Sequence, residues 1–358
     1  MVNQIIIDQA TRTISAFDNP ILTALSVALD SLTYPLLFIL VLWLVFFKFK
    51  KIVHEREKVL LSILILVLTV QFVKYVLPFQ RPCFVDVSSK IDCPLDSAFP
   101  SGHAAMTSLF ILPLLSSALF IPYLIFTIFI AFSRVYLGVH SILDVSAGLM
   151  FGMTAYLTAM RLLSKEIKTS SRNEWSRQLT HIFFGVFSIA VIAILNSTIF
   201  YWREFASISF FFFALLLVAI VYLINHAIYP PFIGRHLKKV SHRDFFVGEA
   251  AVWYALGVLL LLTFLTDFRQ IVGSLLILTL GDSASTMFAA SAWKRTFFKN
   301  KTIGSFFAFI IASLPAAIFL GFAAIPLIVL CAIVESVYLR IDDNFLIPAA
   351  CVLYFLFV

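Results

Sequence analysis

The sequence predicts an all-α fold, a polytopic transmembrane helical protein of about ten to twelve spans in two membrane units. Three observations predict it. Of 358 residues, 61% are hydrophobic, 13% are charged and 40 are Phe, too little polar surface to cover a soluble chain of this length. Apolar runs recur near the ~20 residues that a helix needs to cross a hydrocarbon core of ~30 Å. One long polar stretch, RLLSKEIKTSSRNEWSRQ (161–178), separates two sets of such runs.

In chain order, MVNQIIIDQATRTISAF has neither a basic start nor a long apolar core, so it reads as an amphipathic surface segment and not a cleaved signal. Spans are predicted at 33–47, 59–78, 104–118, 120–136 and 141–162, then at 181–200, 206–228, 247–265, 270–292, 304–320, 322–339 and 344–358. The domain boundaries that follow are a membrane domain at 1–165, a linker at 166–178 and a second membrane domain at 179–358.

Lys and Arg favour the cytoplasmic ends of spans. KFKKIVHEREK, RLLSKEIKTSSRNEWSR, RHLKKVSHR and WKRTFFKNK alternate with the spans and are predicted cytoplasmic; residues 79–103 and the turn at His140 then face outside. The net charge of +7 follows from this topology and from anionic lipid, so no nucleic-acid partner is expected.

Three polar blocks fall at outer helix ends of the first unit: KYVLPFQRP (74–82), PSGH (100–103) and SRVYLGVHSILD (133–144). They bring three cations, Lys74, Arg81 and Arg134, together with His103, His140 and Asp144. That inventory suits a tetrahedral oxyanion, because arginines hold phosphate oxygens in bidentate fashion and lysine adds a point charge. The Ser101–Gly102–His103 turn opens a helix, whose unpaired N–H groups favour an anion. His140 and Asp144 are i and i+4, on one helix face. The spacing predicts that Asp144 accepts from one ring nitrogen and leaves the other as nucleophile, while His103 acts as general acid. Taken singly, each residue reads as an interfacial anchor, a snorkelling cation or part of a proton relay; three blocks in order argue against coincidence. Two histidines without a carboxylate cluster predict metal-independent phosphoryl transfer through a phosphohistidine, with no cofactor.

The order K-x6-R-P, P-S-G-H, S-R-x5-H-x3-D resembles the type 2 phosphatidic acid phosphatase superfamily of lipid phosphatases, over roughly residues 20–165. The match runs through Lys74, Arg81, Pro82, Pro100, Ser101, Gly102, His103, Ser133, Arg134, His140 and Asp144. The resemblance implies a six-helix core and a membrane lipid phosphate as substrate. It also implies His140 as nucleophile, Asp144 as its orienter, His103 as acid and the other residues as phosphate binders. Cys83 and Cys93 share the outer loop beside Arg81; a disulfide there and two free thiols are both open, since connectivity is not written in a sequence.

The second unit places ionisable residues at inner helix ends: Arg177, His181, Arg243, Glu249, Asp282, Lys301, Glu335 and Asp343. Asp282 lies deep enough that an idle carboxylate there is costly. The small residues after it also suit helix packing, and WKRTFFKNK an ordinary cytoplasmic loop. RQLTHIFFG (177–185), GEAAVWYALGVLL, GDSAS (281–285), KTIGS (301–305) and ESVYLRIDDNFLIP (335–348) together resemble the dolichol, phytol and diacylglycerol kinase group. That resemblance implies a cytoplasmic site using CTP and Mg2+, with Arg177, His181, Asp282, Lys301, Glu335, Asp343 and Asn344 as its residues. The chain departs from the group at Phe288, Ala289 and Ala292, where glycines are usual, and its KTIGS is one residue short.

The whole chain is expected to be a multi-pass protein of the cell membrane. Its outer-face phosphatase is expected to hydrolyse polyprenyl (dolichyl-type) diphosphate or monophosphate, and its inner unit to phosphorylate a lipid alcohol. The alternative is a phosphatidate or phosphatidylglycerophosphate phosphatase whose second unit binds lipid, transports it or scaffolds a partner. The phosphatase triad argues against a transporter or channel, and nothing in the sequence specifies an oligomeric state.

Overall fold

The computed structural model describes residues 9–49, 53–85, 87–115, 117–164, 174–225, 248–288, 296–298, 301–337 and 340–358. The predicted loop RHLKKVSHR and residues 166–173 of the predicted linker lie outside them. The chain divides into two compact units, Met1–Lys165 and Glu166–Val358.

In the first unit, α1 (Gln9–Ala16) precedes α2 (Pro20–Trp43). Asn19 caps α2, its side chain accepting from the Leu22 N–H at 3.0 Å, and Pro20 takes the first helical position, where no donor is needed. A π-turn, Leu44–Lys48, prolongs α2, so the first span starts at Pro20 and not at residue 33. Then come α3 (Val53–Val76), the single turn α4 (Pro82–Val85), α5 (Gly102–Leu109), α6 (Phe120–Tyr136) and α7 (Ile142–Leu163).

The predicted span 104–118 is not one helix. α5 stops at Leu109 and the chain continues through turns to Leu115. Pro113, which has no N–H to extend a helix ladder, sits in that irregular stretch, and Lys48 Nζ donates to its carbonyl at 3.1 Å.

α7 is the buried centre of this unit and packs against α3 and α5. Two glycines permit the approach to α5. A Cβ at Gly148 would stand 3.1 Å from that of Ala104 and would collide with the Ser101 carbonyl; one at Gly152 would collide with Ser108 and the Ala105 carbonyl. Around this core, Leu36, Phe38, Ile39, Leu68 and Phe72 are exposed, as the lipid-facing side of a membrane bundle requires.

The second unit contains α8 (Glu174–Thr198), α9 (Trp202–Asn225), α10 (Glu249–Phe264) and α11 (Phe268–Leu276). A π-turn, Ile277–Asp282, carries α11 into α12 (Ser283–Phe288). A two-stranded antiparallel ladder, Thr296–Phe298 with Lys301–Thr302, precedes α13 (Ile303–Ser313), α14 (Ala317–Leu320), α15 (Ala324–Ser336) and α16 (Asp343–Phe357). α10 is apolar all round and buried from Val252 to Thr263, with Trp253 against Phe345 at 5.6 Å; a helix of that kind belongs inside a bundle.

Among the described residues, seven helical segments are long and apolar enough to cross a membrane: Pro20–Lys48, Glu55–Val76, Ile142–Leu163, Trp175–Thr198, Trp202–Ile220, Phe268–Phe288 and Ile303–Ser336. Phe120–Tyr136, Glu249–Phe264 and Asp343–Phe357 are shorter apolar helices. The two spans predicted at 304–320 and 322–339 fall in one continuous apolar stretch, Ile303–Ser336, which Pro315 and Gly321 (φ 59°) interrupt, and α13 before the break packs against α15 after it. The protein is an all-α, multi-pass membrane protein, the short ladder aside.

Candidate active site

Local rules place each residue of the three blocks. Lys74 lies in the last turn of α3, and Arg81 lies in the link to α4. PSGH turns the chain into α5; the Ser101 side chain caps none of the first-turn N–H groups, and its Oγ is buried without a partner among the described residues. Arg134 lies in the last turn of α6, His140 lies in the turn that Gly138 (φ 78°) makes possible, and Asp144 is in the first turn of α7.

The side chains converge. Arg81 Nη1 stands 3.0 Å from His140 Nε2 and donates to the Val139 carbonyl at 3.1 Å. Its other nitrogen, Nη2, donates to Asp96 Oδ1 at 2.6 Å, and Nε donates to the Asp96 carbonyl at 3.1 Å. Lys74 pairs with the same Asp96 carboxylate and donates to the Ser97 carbonyl at 2.9 Å. Arg134, 3% exposed, pairs with Asp30 of α2, while its Nε is buried with no partner among the described residues. His103 stands 3.6 Å from the Asp30 carboxylate and 3.3 Å from the Asp30 carbonyl. A cationic cluster is thus held by two carboxylates at its rim.

One expected contact is absent. His140 Nδ1 and Asp144 Oδ2 are 3.9 Å apart, beyond a hydrogen bond, and His140 Nδ1 has no partner among the described residues. Asp144 Oδ2 instead accepts from the Ser141 N–H at 2.7 Å, while Ser141 Oγ accepts from the Asp144 N–H at 3.2 Å. This reciprocal capping box starts α7.

Electrostatics follow from the same packing. Burial first, and then Arg81, hold His140 well below its ordinary pKa, so the ring is neutral with a lone pair available. Burial also works against ionisation of Asp96, but hydrogen bonds from Lys74 and Arg81 outweigh it and keep that carboxyl below the usual range. The cluster as a whole holds oxyanion donors, a neutral imidazole at 3.0 Å from one of them, and a second histidine: the parts needed to transfer a phosphoryl group.

Asp30, Tyr34 and Asp96 were not picked out from the sequence. A lone carboxylate in an apolar helix is a signal by itself, but the span reading began at residue 33 and left Asp30 outside it. Asp96 carried no signal beyond being acidic in a polar loop. Cys83 and Cys93 are disulfide-bonded, with Cα atoms 6.0 Å apart, closing the loop that leads to Asp96.

In the second unit, carboxylate oxygens of Asp282, Glu335 and Asp343 lie within 4.8 Å of one another. His181 Nε2, on α8, has no hydrogen-bond partner among the described residues and stands 4.0 Å from Asp282 Oδ2. Ser285 Oγ donates to Glu335 Oε1 at 2.7 Å. Arg177 lies one turn before His181 on α8, and Asn344, capped by Asp342, follows Asp343 at the start of α16. Lys301 is placed by its backbone in the short ladder, paired with Phe298.

The PAP2 superfamily model matches residues 58–168. An uncharacterized protein of Methanocaldococcus jannaschii is 30% identical over 141 residues, covering 37% of this chain and 73% of that protein. No solved structure matches.

Proposed function

The chain belongs to the PAP2 superfamily, and from that premise we propose that its first unit is a lipid phosphatase working through a phosphohistidine. The observation that carries the reading is His140 Nε2 at 3.0 Å from Arg81 Nη1, inside a cluster that also holds Lys74, Arg134 and His103. Arg81, Lys74, Arg134 and the first N–H groups of α5, those of Gly102 and His103, hold the phosphate oxygens, while the Ser101 N–H donates to the Asp144 carbonyl at 2.9 Å. His140 Nε2 attacks phosphorus, the bond to the lipid oxygen breaks, and His103 protonates that oxygen. Water then attacks the phosphohistidine and returns the site with free phosphate. Three cations supply the charge stabilisation this chemistry needs, so the reading calls for no metal in this unit. Full-length protein in detergent, given a lipid phosphate, should release phosphate, and His140→Ala should abolish the release. Activity retained by His140→Ala would remove the reading.

We place this site on the extracytoplasmic face, because the basic loops assign the opposite ends of these spans to the cytoplasm. We propose polyprenyl diphosphate or monophosphate as substrate, on the ground that the same chain carries a unit whose motifs resemble prenol kinases.

For that second unit we propose phosphorylation of a lipid alcohol from CTP on the cytoplasmic face. The observation favouring it is the triad of Asp282, Glu335 and Asp343, a hard-oxygen set that suits Mg2+. These three residues would hold the cation, which when bound offsets the charge of nucleotide phosphates. His181 on α8 stands beside Asp282, with Arg177 one turn before it, and Asn344 follows Asp343 on α16; Lys301 is assigned to the nucleotide. CTP-dependent labelling of a prenol by the full-length protein, lost in Asp282→Asn while phosphatase activity stays, is the test. No labelling by wild type would leave the second unit as a lipid-binding, transport or scaffold unit.

A further inference from the structure

α2 lies outside residues 58–168, which match the family, yet it forms one wall of the phosphatase cluster. Asp30 and Tyr34 are one helical turn apart and share a face. The Tyr34 ring lies 4.6 Å from the His103 ring, and a Cβ on Gly102 would sit 3.3 Å from the Tyr34 hydroxyl. The Asp30 carboxylate pairs with Arg134 and stands 3.6 Å from His103 Nε2, and the Asp30 carbonyl stands 3.3 Å from that same nitrogen. If Asp30 only neutralised a buried arginine, its carbonyl and Tyr34 would have no reason to be gathered around His103. A carboxylate in the middle of an apolar helix is also too costly to be idle.

We propose that Asp30 is a positioning residue for the proton donor. It holds His103 and Arg134 in one arrangement, so that the group capturing phosphate and the group protonating the leaving oxygen are set together. The inference rests on the phosphohistidine reading, in which His103 is the acid. In that step the bond from His140 Nε2 to phosphorus forms as the bond to the lipid oxygen breaks. The freed electron pair stays on that oxygen, which takes its proton from His103.

The charges facing His103 allow a sign to be worked out. They are Asp30 and Tyr34 from α2, Arg134 from α6, Arg81 from the link after α3, and His140 from the turn before α7. Burial first, then Arg134, pull His103 down to about 4, and Asp30 opposes both. An acid must be protonated to work, so activity falls as pH rises through the His103 pKa of the substrate complex. There the phosphate charge raises it further. Removing the Asp30 charge moves that alkaline limb to lower pH, by about one unit, the effect of one opposite charge at this range.

The test compares full-length wild type, Asp30→Asn and Asp30→Glu on phosphatidate and on p-nitrophenyl phosphate, whose good leaving group needs little protonation. Asp30→Asn should lower kcat on phosphatidate about tenfold or more and on p-nitrophenyl phosphate about threefold or less, a share of the 10²–10⁴ that a positioned acid supplies. Its alkaline limb should move to lower pH, and Asp30→Glu should return the limb toward wild type. Equal losses on both substrates, an unmoved limb, or a change in KM alone would overturn the proposal. If Asp30→Asn does not fold, kcat decides in Asp30→Glu, which keeps the charge but displaces the carboxylate: a kcat on phosphatidate undiminished from wild type overturns the proposal, because a displaced carboxylate must misplace His103. A wild type that cleaves neither substrate removes the phosphatase reading itself, and the inference with it.

Discussion

His140 Nδ1 and Asp144 Oδ2 face each other at 3.9 Å without a hydrogen bond, although they are i and i+4 at the start of α7. The carboxylate is already committed: it accepts the Ser141 N–H at 2.7 Å as half of a capping box. The histidine is held from its other side, by Arg81 at 3.0 Å from Nε2. Contacts of this kind commonly tighten only when substrate is bound. An imidazole that gains positive charge on phosphorylation would draw Asp144 the short distance to Nδ1.

The two roles of Asp144 separate by substitution. Asp144→Asn keeps an oxygen for the Ser141 N–H but loses the charge that a phosphorylated His140 would feel. Its melting temperature should stay near wild type while kcat falls. Asp144→Ala loses the cap as well, and should also be destabilised by about 1 kcal/mol. Thermal melts beside kcat for the two variants check this; equal kcat in Asp144→Asn and wild type would restrict Asp144 to capping.

His140→Ala should be inactive, and the wild-type phosphatase should survive EDTA. Brief reaction with labelled lipid phosphate should leave label on the protein that acid releases and alkali does not, the behaviour of a phosphoramidate. His103→Ala should still become labelled, more slowly by about 10²–10⁴-fold on an alkyl phosphate. Strict dependence on a divalent cation, or label that is stable in acid, would exclude the phosphohistidine.

Packing between α5 and α7 sets where His103 stands. A Cβ at Gly152 would overlap Ser108 and the Ala105 carbonyl. The carbonyl is backbone and cannot swing aside, so the helices must part. Gly152→Ala should cost about 1–3 kcal/mol, the usual range for overpacking. It should also lower phosphatase activity in the fraction that remains folded. Unchanged melting and activity would show that the two helices have slack there.

What could be read from the sequence was what is expensive in lipid. Lys74, Arg81, His103, Arg134, His140 and Asp144 stand out because polar groups amid hydrocarbon need a reason, and they do meet in one cluster. Asp144 carries two readings, because i, i+4 spacing serves a histidine contact and a helix start equally well. The S-x-x-D pattern of Ser141–Asp144 was the legible sign of a cap. Asp30 was lost with the first helix boundary, since end positions are the least determined part of an apolar run. The span 104–118 was drawn through Pro113 on hydropathy alone, where local backbone rules end the helix earlier.

Asp96 occupies both Lys74 and Arg81 where phosphate oxygens are expected to go. Phosphate must displace it or share its donors, so Asp96→Asn should strengthen competitive inhibition by inorganic phosphate. The carboxyl lies below its usual range, so it is ionised, and competing, at every pH above about 4. The competition is lost only as pH falls through its lowered value. The gain in phosphate binding should therefore be constant between about pH 5 and 8, where an unperturbed carboxylate is also ionised. A phosphate inhibition constant that does not change in Asp96→Asn would mean that the loop swings clear at no cost.

The choice of lipid is tested by competition at one site. On the proposed reading, a phosphatase joined to a unit whose motifs resemble prenol kinases would act on a prenyl phosphate, and the two chemistries would serve one lipid class from opposite faces. Nothing in the cluster itself selects among lipids, because Lys74, Arg81, Arg134 and the α5 turn all address phosphate oxygens and not the chain attached to them. Selection must come from the lipid-facing surfaces around it, where α2 presents Leu36, Phe38 and Ile39 outward and α3 presents Leu68 and Phe72. Purified protein given a C55-type prenyl diphosphate and phosphatidate at equal concentration should release phosphate preferentially from the prenyl substrate. Asp282→Asn should leave that preference intact, because the proposed hydrolysis uses residues of the first unit alone. A clear preference for phosphatidate would remove the prenyl assignment while leaving the phosphatase in place, since both substrates present the same phosphoryl group to His140.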